Sequence, residues 1–255
     1  MSVGLTVGAL TMIFLSTAAG AAAVFFTGRR GAGKNASAAF NGFASGIMVA
    51  ASVWSLIMPA IEQSESDGWG SISFLPAAVG IAAGGALIVL IDAAALRLSG
   101  GSGGMTTHGK MLAAMTVHNV PEGLAVGLAL GAALPSGNAA ASGAFRFALG
   151  IAIQNFPEGA AVSLSLRGAG QSAKKSFFCG CASGAVEPLF AGAGLLLAAF
   201  FRPLQPWLLG LSAGAMLFVV AEDLIPAASR GARPFIGAAG FLAGFILMMS
   251  LDCAL

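Results

Sequence analysis

The charged residues of this chain, 12 basic and 10 acidic, fall in short clusters separated by long uncharged runs. A run of about 20 apolar residues is long enough to cross a ~30 Å hydrocarbon core as a helix. In water such a run would have to be covered on every side. With charged residues at only 9% of 255, against about 25% in an average soluble domain, this chain lacks the polar surface to do that. An ordinary soluble enzyme, a nucleic-acid binder and a disordered chain are thereby excluded. The runs are continuous rather than alternating, which favours helices over barrel strands.

The pattern predicts an all-α, polytopic membrane protein, one transmembrane domain over residues 1–255 with eight transmembrane helices. They are expected near 5–27, 36–61, 72–95, 111–134, 144–166, 175–201, 207–228 and 235–254. Ten of the twelve basic residues lie in the odd-numbered connections, among them Arg29, Arg30, Lys110, Arg167 and Arg230. Only Arg146 and Arg202 lie in the even ones. Basic residues collect on the cytoplasmic side, so both termini are expected outside. The first span lacks a basic stretch before it and is too long for a cleaved signal. Residues 99–110 form a Gly/Ser-rich connection. Cys179, Cys181 and Cys253 make neither a disulfide framework nor a metal knuckle.

Most of the acids are in the wrong place for such a protein. Glu62, Glu65 and Asp67 are expected in the first outside loop, and Asp252 at the outer end of the last span. Asp92, Glu122, Glu158, Glu187, Glu222 and Asp223 fall inside spans. An Asp at the centre of a membrane helix costs on the order of 3 kcal/mol, so each needs a function or a partner.

A repeat supplies the reason. His118-Asn119-Val120-Pro121-Glu122-Gly123 recurs as Gln154-Asn155-Phe156-Pro157-Glu158-Gly159, 36 positions later in the neighbouring span. Residues i, i+1 and i+4 share one helix face, so each copy presents two polar side chains and a carboxylate together. The proline before each Glu withdraws a donor from the carbonyls of Val117 and Ile153. Counted from the basic residues that mark the inner boundary, His118, Glu122, Gln154, Glu158 and Glu187 lie roughly 12–20 Å deep, near the midplane. Pro188 follows Glu187, so that helix is expected to bend near its acid.

Imidazole nitrogen with carboxylate and amide oxygens suits Zn²⁺, Cd²⁺, Fe²⁺, Mn²⁺ or Co²⁺ better than Ca²⁺ or Cu⁺. The remaining acids trace a possible route: Glu62 at the outer face, then Asp92, Glu222 and Asp223 on the inner side. His108, in the Gly/Ser connection, reads as a loop histidine.

These residues resemble the ZIP (Zrt-/Irt-like) divalent-metal transporters. The resemblance is carried by the two copies of the motif, by Glu187-Pro188, and over the rest of the chain by Gly46-Ile47-Met48 and Gly214-Ala215-Met216 with Glu222-Asp223-Leu224-Ile225-Pro226. The last two stretches are similar to the GufA-like prokaryotic branch. Membership implies eight helices, a homodimer, and a binuclear centre. It places one metal on His118, Glu122, Gln154 and Glu158 with Met48 nearby. It places a second on Asn119, Asn155 and Glu187, with Glu122 and Glu158 bridging. It also implies zinc import across a bacterial inner membrane by one helix block moving against another. Two departures stand out: Gln154 occupies a position where many members carry His, and the His-rich loop is reduced to His108.

A proton-coupled transporter of another cation or small solute would also want midplane acids at helix breaks. An intramembrane metalloprotease would need His-Glu-x-x-His, which is absent, and no enzymatic role is expected.

Overall fold

The structure, a computed structural model, describes residues 3–26, 33–98, 107–134, 138–200, 202–231, 233 and 235–254. The described residues form helices and no strand. They are α1 (Val3–Ala21), α2 (Lys34–Ala51), α3 (Met58–Ser66), α4 (Leu75–Leu98), α5 (Thr107–Ala133) and α6 (Asn138–Gly168). Then come α7 (Ala173–Gly184), α8 (Val186–Phe200), α9 (Gln205–Val219), α10 (Ile225–Ala228) and α11 (Phe235–Ala254).

Among the described residues, six helical stretches are long and apolar enough to cross a membrane: Gly4–Phe25, Lys34–Ser66, Gly70–Ile91, Ala173–Ala198, Gln205–Ala228 and Phe235–Cys253. Helices α5 and α6, of 27 and 31 residues, carry the repeat and are not among the six. The amides and acids of the motif lower their mean hydropathy.

Four helix pairs build the molecule: α1 with α6, α2 with α11, α4 with α9, and α5 with α8. Hydrocarbon offers no hydrophobic drive between helices, so close backbone approach must replace it. Glycine provides the approach from both members of every pair. A Cβ on Gly84 would strike the Leu211 carbonyl, and one on Gly214 would strike that of Ile81. Gly42 and Gly244 do the same for α2 and α11 against Gly237 and Phe43. In α1 and α6 the facing groups are Gly20 on the Phe156 carbonyl and Gly159 on that of Thr17. The register advances in the same sense along both members of each pair, so all four pairs are parallel.

Two helices widen to a π turn. Ser52–Ile57 joins α2 to α3, and Val220–Leu224 joins α9 to α10. Pro59 and Pro226 follow directly, and a proline cannot donate to the carbonyl four residues back. Each π turn also packs against the other's helix. At one end of the molecule Gln63 donates to Gln205 at 3.0 Å. Beside them Trp69 and Trp207 meet edge to face.

Three expectations need correction. Glu62 and Glu65 lie on α3 rather than in a loop, because the helix runs past the π turn to Ser66. The break expected near Glu187 falls two residues before it, at Ala185 between α7 and α8, but it does not come from Pro188, which fits the first helical turn without losing a bond. His108 belongs to the first turn of α5, not to a loop. Residues 99–106 of the Gly/Ser connection lie outside the described residues, as do Arg29 and Arg30.

The glycine contacts predict unequal responses to one substitution. Gly84→Ala should lower the unfolding midpoint in detergent by several degrees, since overpacking of this kind costs about 1–3 kcal/mol. Gly192→Ala, where a Cβ meets nothing within 4 Å, should leave it unchanged or slightly raised. Equal midpoints for the two variants would argue against the backbone contact.

Candidate metal centre

Each helix of the repeat is turned so that its motif faces inward. Asn119, Glu122, Gln154, Asn155, Glu158 and Glu187 are all buried, none more than 6% exposed. Burial of one carboxylate in an apolar medium is expensive, and here three come from α5, α6 and α8. Helix α5, which carries Glu122, packs on both α6 and α8, which carry the other two. Among the described residues, no three His, Cys, Asp or Glu side chains are close enough to hold an ion by themselves. The further donors at this level are amide oxygens.

The glycine that closes each copy of the motif explains the assembly. A Cβ on Gly123, next to Glu122, would strike the backbone of Glu187. One on Gly159, next to Glu158, would strike the Thr17 carbonyl. One on Gly184, at the α7–α8 break, would strike the Thr17 side chain. These residues draw α8, α1 and α7 against the helices that carry the acids.

Hydrogen bonds then orient the amides. Asn119 donates from Nδ2 to the Ser183 carbonyl at 2.7 Å, next to the α7–α8 break. Asn155 donates from Nδ2 to Glu187 Oε2 and lies 3.4 Å from the Ile13 carbonyl. Gln154 Nε2 donates to Glu158 Oε1 at 3.3 Å. With the N–H groups turned to these acceptors, the oxygens point the other way. Asn119 Oδ1, both oxygens of Glu122, Gln154 Oε1 and Asn155 Oδ1 are buried and make no hydrogen bond of normal geometry among the described residues, although the Gln154 side chain lies within reach of Glu122. Five buried acceptor oxygens without a well-formed hydrogen bond call for a further donor or a cation. Glu187 stands in the first turn of α8, where the helix dipole favours its charge.

The structure brings together Asn119, Glu122, Gln154, Asn155, Glu158 and Glu187. Met48 is fully buried on α2, a helix that packs against α6. His118 lies on α5 and Asp92 on α4, with their side chains outside the described residues. Glu62 lines a cavity of about 490 Å³ with Asp67, Arg146 and Asp252. Asp252 accepts from Ser55 on the first π turn there, at 3.0 and 3.1 Å. Glu222 and Asp223 are exposed on the second π turn, at the far end of α9 from that cavity. Thr17 and Ser183 were not singled out by sequence. The first span carries Thr6, Thr11, Ser16 and Thr17 alike, and nothing in the pattern separates one from the others.

A helical membrane protein that buries carboxylates and donor-free amide oxygens at the junction of five helices is of the class that handles cations. A family model of ZIP zinc transporters matches residues 102–252, which include both motif copies and Glu187 but not Met48 or Glu62. The zinc transporter ZIP11 of Xenopus tropicalis is 35% identical over 291 positions, covering 84% of this chain and 87% of that protein. The zinc transporter GufA of Myxococcus xanthus is 38% identical over 210 positions, covering 79% and 80%. The zinc transporter ZIPB of Bordetella bronchiseptica is 34% identical over 254 positions, covering 95% and 78%. The chain belongs to the ZIP family of zinc transporters, a family of transporters and not of enzymes.

Burial of Glu122 without a well-formed hydrogen bond predicts a stability conflict. Glu122→Met keeps the length and removes the charge, so the metal-free protein should unfold at a midpoint a few degrees higher. A lower midpoint in metal-free detergent solution would mean that the carboxylate is well paired after all.

Proposed function

We propose that this protein carries divalent metal, zinc first among candidates, toward the cytoplasm through a binuclear centre near the membrane midplane. The observation that carries the reading is the set of five buried acceptor oxygens on Asn119, Glu122, Gln154 and Asn155 that make no hydrogen bond of normal geometry among the described residues. Membership of the ZIP family, and relatives that are zinc transporters, supports the substrate class. Cd²⁺, Fe²⁺, Mn²⁺ and Co²⁺ fit the same mixed donor set.

In this reading His118, Glu122, Gln154 and Glu158 hold the first ion, with the Met48 sulfur close by. Asn119, Asn155 and Glu187 hold the second, and Glu122 and Glu158 bridge. Three carboxylates leave a net charge of about +1 with two divalent ions and about −1 with one, and both are tolerable in a site this enclosed. Glu62 gathers ions at the outer cavity. Asp92, Glu222 and Asp223 receive them on the inner side.

The chain crosses the membrane eight times with both termini outside. The excess of Lys and Arg in the odd connections supports that orientation. The parallel packing of all four helix pairs supports the count, because parallel partners need an odd number of spans between them, and the eight-span order gives that for every pair. We place the protein in a bacterial inner membrane as a homodimer.

The test is uptake into proteoliposomes with a panel of radiolabelled divalent metals, with and without a pH gradient. Metal flux with one or two ions bound per chain is expected. A pH-driven solute flux with no metal bound would replace this reading by that of a proton-coupled solute carrier.

The three glutamates should respond differently to Glu→Gln. At Glu122 or Glu158 the change should nearly abolish uptake and disturb both ions. At Glu187 it should remove one ion and leave measurable uptake, and Asn119→Ala should resemble Glu187→Gln. Bound metal per chain and uptake rate decide it, and the bridging assignment fails if Glu187→Gln is the more damaging change.

Gln154→His replaces an amide oxygen with imidazole, which zinc prefers more than manganese does. The zinc-to-manganese affinity ratio should rise. An unchanged ratio would place Gln154 outside the ligand set.

A further inference from the structure

We propose that Thr17, on a helix that supplies no ligand, is a positioning residue that holds the Glu187 carboxylate and the Asn155 amide in the directions the second ion requires. The inference rests on the ligand assignment above.

Four groups form a closed arrangement. Thr17 Oγ1 lies 3.4 Å from Glu187 Oε1 and 3.3 Å from the Ile13 carbonyl of its own helix. Asn155 Nδ2 donates to the other oxygen of Glu187 and lies 3.4 Å from the same Ile13 carbonyl. One carboxylate and one carbonyl are thus bridged by two donors. The Asn155 amide has two N–H hydrogens, one toward each acceptor, and its Oδ1 is left with no donor. Thr17 has a single hydroxyl hydrogen for two acceptors, and a charged acceptor holds it more strongly than a neutral one. Each oxygen of Glu187 keeps a second lone-pair site, open to a cation.

A buried threonine in a helix commonly bonds the carbonyl four residues back and does nothing more. Two features set Thr17 apart. It is held from both sides, its carbonyl against Gly159 and its side chain in the space that Gly184 leaves. It also touches, through hydroxyl and backbone, both helices that carry Glu158 and Glu187. The direction of its hydroxyl is therefore fixed by the same contacts that bring those acids together.

Two variants separate orientation from packing. Thr17→Val keeps the shape and removes the hydroxyl; Thr17→Ser keeps the hydroxyl and removes a methyl. Zinc binding to the purified full chain is measured by equilibrium dialysis, with thermal unfolding of the metal-free protein as the check on folding. Thr17→Val should weaken the second ion about 10- to 100-fold, the range for loss of a partner that orients a metal ligand, and leave the first within about 2-fold. Thr17→Ser should restore wild-type binding. In a Glu187→Gln background, where the second ion is already lost, Thr17→Val should change neither bound zinc nor uptake. Wild-type affinity in Thr17→Val, equal loss in both variants, or a Thr17→Val effect that persists beside Glu187→Gln would each overturn the proposal. A wild-type chain that binds no second ion would overturn the ligand assignment beneath it as well. Two ions bound by wild type and by Thr17→Val alike would overturn the role of Thr17 alone.

Discussion

Close contact through glycine is the condition on which the buried polar site rests. A carboxylate near the midplane needs groups from other helices within a few ångströms, and ordinary side chains would keep those helices 8–10 Å apart between axes. Gly123 and Gly159 follow Glu122 and Glu158 directly in sequence, and each faces the backbone of a neighbouring helix. Acid and contact thus sit on adjacent residues, so the helix cannot present one without the other. Loosening the Gly123 contact would move Glu187 away from α5, and loosening the Gly159 contact would move Thr17 away from α6.

That closeness also decides how the site is prepared for an ion. The amide N–H groups of Asn119 and Asn155 turn to backbone carbonyls, of Ser183 and Ile13. Those carbonyls are part of the scaffold, so the amide oxygens keep their direction whether or not an ion is present. Without an ion the oxygens lack donors, and this is a standing cost to stability in the metal-free chain. In the proposed assignment the same cost would favour binding, because an ion would satisfy several of them at once. A fold that keeps buried polar groups without donors shows the pattern expected where stability gives way to function.

Much of this was legible in the sequence, and the physical reason is that membrane and ligand both impose strict periods. Uncharged runs marked the helices to within a few residues. The repeat placed Asn119 with Glu122, and Asn155 with Glu158, on shared faces. Three things were not legible. The break at Ala185 has no proline of its own; Pro188 lies beyond it and sits comfortably in the first turn of α8. The helix pairs depend on glycines so common in this chain, 37 in all, that no single one stood out. Thr17 acts through the direction of one hydroxyl, and direction has no sequence signature.

The pairs also sort the helices into two groups. Helices α1, α5, α6, α7 and α8 contact one another, as do α2, α3, α4, α9, α10 and α11, and the groups meet where α2 and α11 lie on α6 and α9 lies on α5. Apart from Met48, every residue assigned to the ions belongs to the first group. Both π turns belong to the second. Each of the four glycine-backed pairs lies inside a group, and none bridges the two. The tight glycine-to-backbone contacts of the four pairs thus lie within the groups, while across the seam Gly150 of α6 leaves space for the Met248 side chain of α11. In the proposed assignment, a shift of one group against the other would keep the ligands of the first group together and part them from Met48 on α2.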